Sequence, residues 1–342
     1  MASSNDTTKE LNVTEVVVYT IQFLFSVASG IISFVAATAI LSHPSLRKSK
    51  DTLLMFGLIF SDFMVGIGRA AMAVQALVDL NLMASNPEFQ GKPPLRSHKQ
   101  CLVIPGGHLM VLAHTVSPAM IMILGIDRCL AIFAFVWYWK QSIRYSYSLL
   151  GIAFSITWLV YFGSWVLVVM EGLDNLWQSL GCRLNGYFGR TFAVLYAAYQ
   201  CMCGWIGFIT MCVAYLKTRN YAAKNVLHNA AQFRTHQKIM SYLFTMGMIC
   251  FVFITINKTV LMLSRHINMA FYPKGTEFIQ VTSILSVVCG PANVILLARN
   301  NREFLNSLRK LFGAKAQAVR TTDVVKAKGN SSGVASRAAR TL

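Results

Sequence analysis

Charge is scarce in this chain, and acid is scarcest. Charged residues make up 13% of the 342 positions, about half the share of an ordinary soluble domain, ~25%. Only 13 Asp and Glu stand against 31 Lys and Arg. Such a composition excludes a typical water-soluble globule. Also missing are a nucleophile–base pair, a phosphate-binding loop and a metal-ligand cluster, so an enzyme is not expected. No internal repeat is detectable. The first apolar run lacks a basic leader and a small-residue cleavage site, so it is not expected to be a signal peptide. The net charge of +18 has no basic and aromatic patches in a soluble segment to go with it, so nucleic acid is not an expected partner.

What the chain does contain is apolar length. Hydrophobic residues reach 55%, and they gather in seven runs: 16–42, 53–80, 101–126, 149–170, 190–216, 239–264 and 278–298. A helix crosses a bilayer with about 20 residues. With the amino terminus outside, the inner segments carry 21 basic residues and the outer ones eight. Positive loops stay cytoplasmic, which selects amino terminus out and carboxyl terminus in. The expected fold is therefore all-α: a seven-transmembrane helix bundle, multi-pass in the plasma membrane, with the lipid bilayer as its solvent. Residues 1–15 form an outer segment, 16–298 the helical domain, and 299–342 an inner amphipathic helix with a basic disordered tail, whose charge suits anionic lipid.

The outer segment offers two glycosylation sequons, at Asn5 and Asn12. Those at Asn257 and Asn330 fall in the sixth run and the inner tail, where no glycosyl transferase reaches. Of eight cysteines, only Cys101 and Cys182 are placed toward the oxidising side, and a bridge between them is expected. The other six read as small apolar packing residues.

The stretch MILGIDRCLAIF, residues 122–133, sets an acid and a base side by side among apolar neighbours. Unpaired charges there cost several kcal/mol. Asp127 and Arg128 fall where the third run meets the cytosol, so water and mutual pairing can relieve that cost. The plainer reading is an interfacial anchor. Asp62 lies about two turns deep in the second run, where a carboxylate is a functional candidate by default, or else a helix-packing acid. Arg69 follows it by seven residues, about 10 Å along the same face. With Lys258 in the outer half of the sixth run, it could receive an anionic group; both could equally snorkel to headgroups or bridge to an acid such as Glu277. His108 and His114 in the third run are pocket candidates, or packing residues.

Taken together, these residues resemble the rhodopsin-like G-protein-coupled receptors. The resemblance rests on Asp127-Arg128, on Asp62 in LIFSDFMVG, on Cys101 with Cys182, on Pro291 in CGPANVILL, and on NNREFLNSLRKLF after it. It implies a sodium and water site at Asp62, G-protein coupling through Asp127 and Arg128, and a helix-seven hinge at Pro291. Departures are plain. Cys129 replaces the usual aromatic, helix six has no Trp-x-Pro, Gly290 precedes Pro291 in place of Asn or Asp, and Val294 stands where Tyr is usual. The stripped pattern, with Asp-Arg-Cys and Trp137-Tyr138-Trp139, is similar to nematode chemoreceptors of the Srsx-like group. Met110 occupies the position where amine receptors carry an acid, and helix seven has no lysine. That disfavours aminergic ligands and excludes an opsin-type Schiff base.

The function expected is a chemosensory G-protein-coupled receptor for an extracellular small molecule, acting on a heterotrimeric G protein. A neuropeptide receptor is the alternative, because the loop NLMASNPEFQGKPPLRSHKQ could serve a peptide. A transporter or channel fits less well, given seven runs, no repeat and few interior charges.

Overall fold

The computed structural model describes residues 4–86, 95–172, 176–178, 184–224, 230–266 and 275–313. In chain order the elements are α1 (Ser4–Ser42), α2 (Pro44–Arg47), α3 (Lys50–Ser85), β1 (Leu95–Ser97), α4 (His98–Leu102), α5 (Pro105–Phe133) and α6 (Phe135–Lys140). Then come α7 (Ile143–Glu171), β2 (Leu176–Gln178), α8 (Leu184–Lys224), α9 (Ala230–Cys250), a π-helical turn (Phe251–Ile256), α10 (Asn257–His266), α11 (Gly275–Asn300) and α12 (Arg302–Leu311).

Six of these segments are long and apolar enough to cross a membrane: Val13–Ser42, Lys50–Ser85, Pro105–Phe133, Ile143–Glu171, Thr191–Asn220 and Ile239–Val260. They match the first six apolar runs. The seventh run falls on α11, whose apolar part, Ile284–Asn300, is shorter. Large apolar side chains point outward from these helices. On α7, Leu159, Phe162, Val166 and Met170 are each more than half exposed, a surface that belongs in lipid.

Local chemistry sets the boundaries. His43 is extended before Pro44, which ends α1 and starts α2 at a position that needs no N–H. Ser49 caps α3, Ser142 caps α7 and Asn301 caps α12, each accepting from a backbone N–H. Gly172, at φ 95°, stops α7 in a conformation that side chains with a Cβ disfavour.

Two expectations are revised. The third run does not enter its helix at Cys101. Cys101 belongs to the short α4, and the long helix begins afresh at Pro105, with Ile104 extended before it. In addition, β1 and β2 pair antiparallel, Leu95 opposite Gln178 and Ser97 opposite Leu176. A small ribbon thus sits within an otherwise helical fold and ties the segment after α3 to the segment after α7.

α5 packs against α3, α7 and α8; α1 packs on α3 and α11; α9 joins α8 to α11. One core of buried residues runs through all of them, including Ile40, Leu54, Met120, Leu124, Met246 and Phe304. α12 docks at the end of the bundle opposite the ribbon, hereafter the basic end. Phe304 is buried there, Ser307 Oγ donates to Ala39 O at 2.8 Å, and Ser45 Oγ donates to Glu303 at 2.7 Å.

The α1–α3 crossing depends on one glycine. A Cβ on Gly66 would lie 2.8 Å from Gly30 N and Cα and 2.9 Å from Ser26 O, all backbone. A Cβ on Gly30 would meet nothing closer than 3.8 Å. Close approach through small residues is how membrane helices associate without a hydrophobic driving force. Gly66→Ala is therefore expected to cost about 1–3 kcal/mol, as overpacking does. Gly30→Ala should be neutral or slightly stabilising. Thermal melts of both variants in detergent check this, and equal melting temperatures would contradict it.

Candidate functional site

Three polar clusters interrupt the apolar bundle, at its basic end, its middle and toward its ribbon end.

At the basic end the Asp127–Arg128 pair is buried more deeply than its place in the apolar run suggests. α5 continues to Phe133, so Asp127 and Arg128 lie inside the helix, 0% and 2% exposed. Water does not relieve their cost; protein groups do. Arg128 Nε donates to Asp127 at 2.9 Å, and Nη2 bonds both Asp127 and Asp51. Asp51 sits in the first turn of α3, a favourable place for an acid. α6 returns beneath this end and brings Tyr138, whose hydroxyl lies 3.1 Å from Arg128 Nη2 and donates to Asp127 at 3.3 Å. Burial pushes the Tyr138 phenol up, so it stays protonated and can donate. Lys50 Nζ donates to Tyr138 O at 3.2 Å and stands 5.0 Å from its ring centroid. The Tyr145 hydroxyl stands beside Asp127 as a further neighbour of this network.

The sequence reading missed Asp51 and Tyr138. Asp51 looked like one acid in a basic loop, and only the α3–α5 crossing brings it to Arg128. Cys129 also gains a physical reason. Its Sγ donates to Thr210 O at 3.2 Å, where α5 and α8 approach across Gly125 and Gly207.

In the middle, Asp62 is 7% exposed and accepts from Asn293 Nδ2 at 2.9 Å. Asn293, wholly buried, lies two residues after Pro291. Ser29 Oγ donates to Val287 O at 3.0 Å, while Ser33 Oγ, also buried, has no partner. A Cβ on Gly290 would come within 2.9 Å of Ser29 Oγ, 3.0 Å of Ser33 Oγ and 3.2 Å of Asp62 Cβ. That close approach explains the departure from Asn or Asp at position 290. A carboxylate and two hydroxyls, one of them unpartnered, are the hard oxygen donors that a sodium ion takes. Asp62, Ser29 and Ser33 would hold it, and the ion would supply positive charge against the carboxylate.

Toward the ribbon end, His108 is fully engaged. Its Nε2 donates to Leu102 O at 2.8 Å, its Nδ1 pairs with the Tyr161 hydroxyl at 3.1 Å, and its ring stacks on Trp165 at 5.7 Å. These contacts support its packing reading. The Met110 backbone lies against Gly68, where a Cβ would stand 3.0 Å from Met110 N. Arg69, the next residue of α3, does not snorkel: it is 2% exposed inside the bundle. His114 is 6% exposed with Nε2 unpartnered. Lys258 on α10 is half-buried and close enough for its charge to act on His114.

Cys101 is buried and is not among the free thiols of the described residues. Its expected partner Cys182, the side chains of Asn5, Asn12 and Glu277, and the tail beyond residue 313 lie outside the described residues. Comparison with protein-family models finds no match, and comparison with curated proteins finds none either.

Proposed function

We propose that this chain is a seven-helix receptor of the rhodopsin-like G-protein-coupled class, chemosensory in role, that senses an extracellular small molecule and acts on a cytosolic G protein. The observation that carries the reading is the buried network of Arg128, Asp127, Asp51 and Tyr138 at the basic end of a membrane bundle. A network that only anchored a helix would gain nothing from burying an Arg among two acids, because the same residue could reach water at lower cost. One that stores a guanidinium for a partner needs that arrangement. In this reading α11 completes the seventh span, the basic end faces the cytosol of the plasma membrane, and Cys101 pairs with Cys182 outside. Asn5 and Asn12 carry glycans, and Pro291 beside Gly290 is the hinge of α11.

The mechanism is a population shift. In the resting arrangement the two carboxylates and Tyr138 hold Arg128 across α3, α5 and α6. Ligand binding toward the ribbon end favours a second arrangement in which α9 and α10 move, and the guanidinium then meets carbonyls of the partner. The π-helical turn at Phe251–Ile256, clamped by Phe208 stacked on Phe251 at 3.9 Å, stands where Trp-x-Pro is missing and supplies the local weakness such a movement needs. The cations on the elements of the basic end, Lys140, Lys217, Arg219 and Arg309, steer an acidic partner surface.

The test is nucleotide exchange. The full chain in lipid nanodiscs, incubated with purified heterotrimers of each Gα class, should accelerate exchange on at least one of them, and Asp51→Asn/Asp127→Asn should do so more strongly. If neither protein accelerates exchange on any class, the receptor reading is wrong.

A further inference from the structure

We propose that Arg69, His114 and Gln200 form an anion-binding pocket, and that the ligand of this chain carries a carboxylate. The inference rests on the receptor reading for its consequence, though not for its chemistry.

Arg69 lies deep in the bundle. It is 19 residues along α3 from Lys50 and 16 short of Ser85, so about 24 Å of helix separate it from the ribbon end. At 2% exposure its guanidinium cannot reach headgroups or bulk water. Yet among the described residues it makes no hydrogen bond and no ion pair, and its Nε is buried without a partner. An Arg is always charged, and a buried, unpaired charge is among the most costly things a fold can hold.

Its surroundings repeat the same imbalance. Tyr196 faces Arg69 from α8 and is itself 5% exposed. Arg69 and Lys258 both bring positive charge to His114, whose Nε2 is buried and unpartnered. Gln200, 3% exposed, donates from Nε2 to His114 O at 3.0 Å and leaves its Oε1 buried and unpartnered. Three neighbouring polar side chains, each more than nine-tenths buried, thus have an atom waiting for a partner. Among the described residues, two acids toward the ribbon end are already engaged: Asp79 accepts from Arg96 and Gln75, and Glu171 accepts from Thr191 N.

The partner that Arg69 and His114 lack is therefore anionic, while Gln200 Oε1 calls for a donor. A carboxylate fits best, because its two oxygens match the guanidinium fork, the His114 imidazole can donate from Nε2, and a water held beside it can donate both to the carboxylate and to Gln200 Oε1. The neighbourhood suits an apolar remainder: Val111, Phe192 and Tyr196 belong to one buried apolar cluster on α5 and α8, the helices that carry His114 and Gln200. The occupant is then an acid with an apolar tail or ring, from the outer solution or from the lipid phase.

The probe set is acetate, butyrate, octanoate and benzoate, each paired with its primary amide, with sodium chloride at matched concentration as the simple-ion arm. Melting temperature of the full chain in nanodiscs reports binding without any G protein. At least one acid should raise it by several degrees while its amide does not, and Arg69→Met should weaken that acid's apparent affinity at least ten-fold. Octanoate acting only when preloaded into the bilayer assigns the lipid route; benzoate or butyrate acting from solution assigns the other. No response to any acid, equal responses to acid and amide, or stabilisation by chloride alone as large as by the best acid would each overturn the pocket. An acid that binds through Arg69 but never changes nucleotide exchange would leave the pocket standing and remove the receptor reading.

Discussion

Arg128→Ala is expected to abolish exchange on the partner G protein and to destabilise the bundle at the same time. Removing one member of a buried ion pair costs about 3–5 kcal/mol, because the other charge is left uncompensated. Here the lower end of that range applies. Asp51 is about a third exposed and can rehydrate, whereas Asp127 is 0% exposed and must take up a proton or remain a bare carboxylate. The stability loss alone could mimic loss of function, so a second variant separates the two. Asp127→Asn/Arg128→Met removes both charges and should recover most of the melting temperature while exchange stays absent. If exchange returned together with stability, Arg128 would be a packing residue and no more.

The bundle was legible because hydropathy and loop charge are long-range averages. Six spans fall where apolar runs stood, and even a misplaced start, such as Cys101 for Pro105, moves a boundary without moving a helix. Side-chain partners were less legible, for a definite reason. Asp51 and Arg128 are 77 residues apart and Asp62 and Asn293 are 231 apart, so nothing in local periodicity joins them. Asn293 did leave a trace, as an amide on an otherwise apolar stretch close after Pro291. Arg69 stood out as a cation in an apolar run, either receiving an anion or snorkelling, but its burial was not foreseen, because it follows from how α3 packs on α5 beside Gly68 and Met110. His108 shows the opposite case. Its sequence context was indistinguishable from that of His114, yet one histidine is fully bonded and the other is left with a free nitrogen.

The departures from the receptor pattern become less arbitrary once the contacts are known. Gly290 is required by the serines of α1, and Cys129 donates to Thr210 O at the close crossing with α8. The missing aromatic switch on helix six is matched by a π-helical turn packed on Phe208 and Trp205. The first two sit where helices meet, and the third keeps its aromatic contacts, with Phe251 stacked on Phe208 and edge-on to Trp205.

Two acids hold Arg128. Asp127→Asn leaves Asp51 in place, and Asp51→Asn leaves Asp127, so either single change should release the guanidinium only in part. A hydrogen bond to a charged group contributes about 1.5–3 kcal/mol, and an ion pair whose acid is about a third exposed contributes at most about 1 kcal/mol after solvent screening. Basal exchange should therefore rise up to about five-fold in Asp51→Asn and roughly ten-fold in Asp127→Asn, since 1.4 kcal/mol is tenfold in population. In Asp51→Asn/Asp127→Asn neither acid covers for the other, and the rise should exceed the product of the two singles, as expected for groups sharing one partner. Tyr138→Phe removes the hydroxyl that touches both Arg128 and Asp127 and should shift all four proteins in the same direction by a smaller factor. Initial rates of GTP-analogue uptake by the Gα subunit give the whole cycle. A double variant no more active than Asp127→Asn would show that Asp51 lies beside the network without holding it, and that the pair within α5 is the entire restraint.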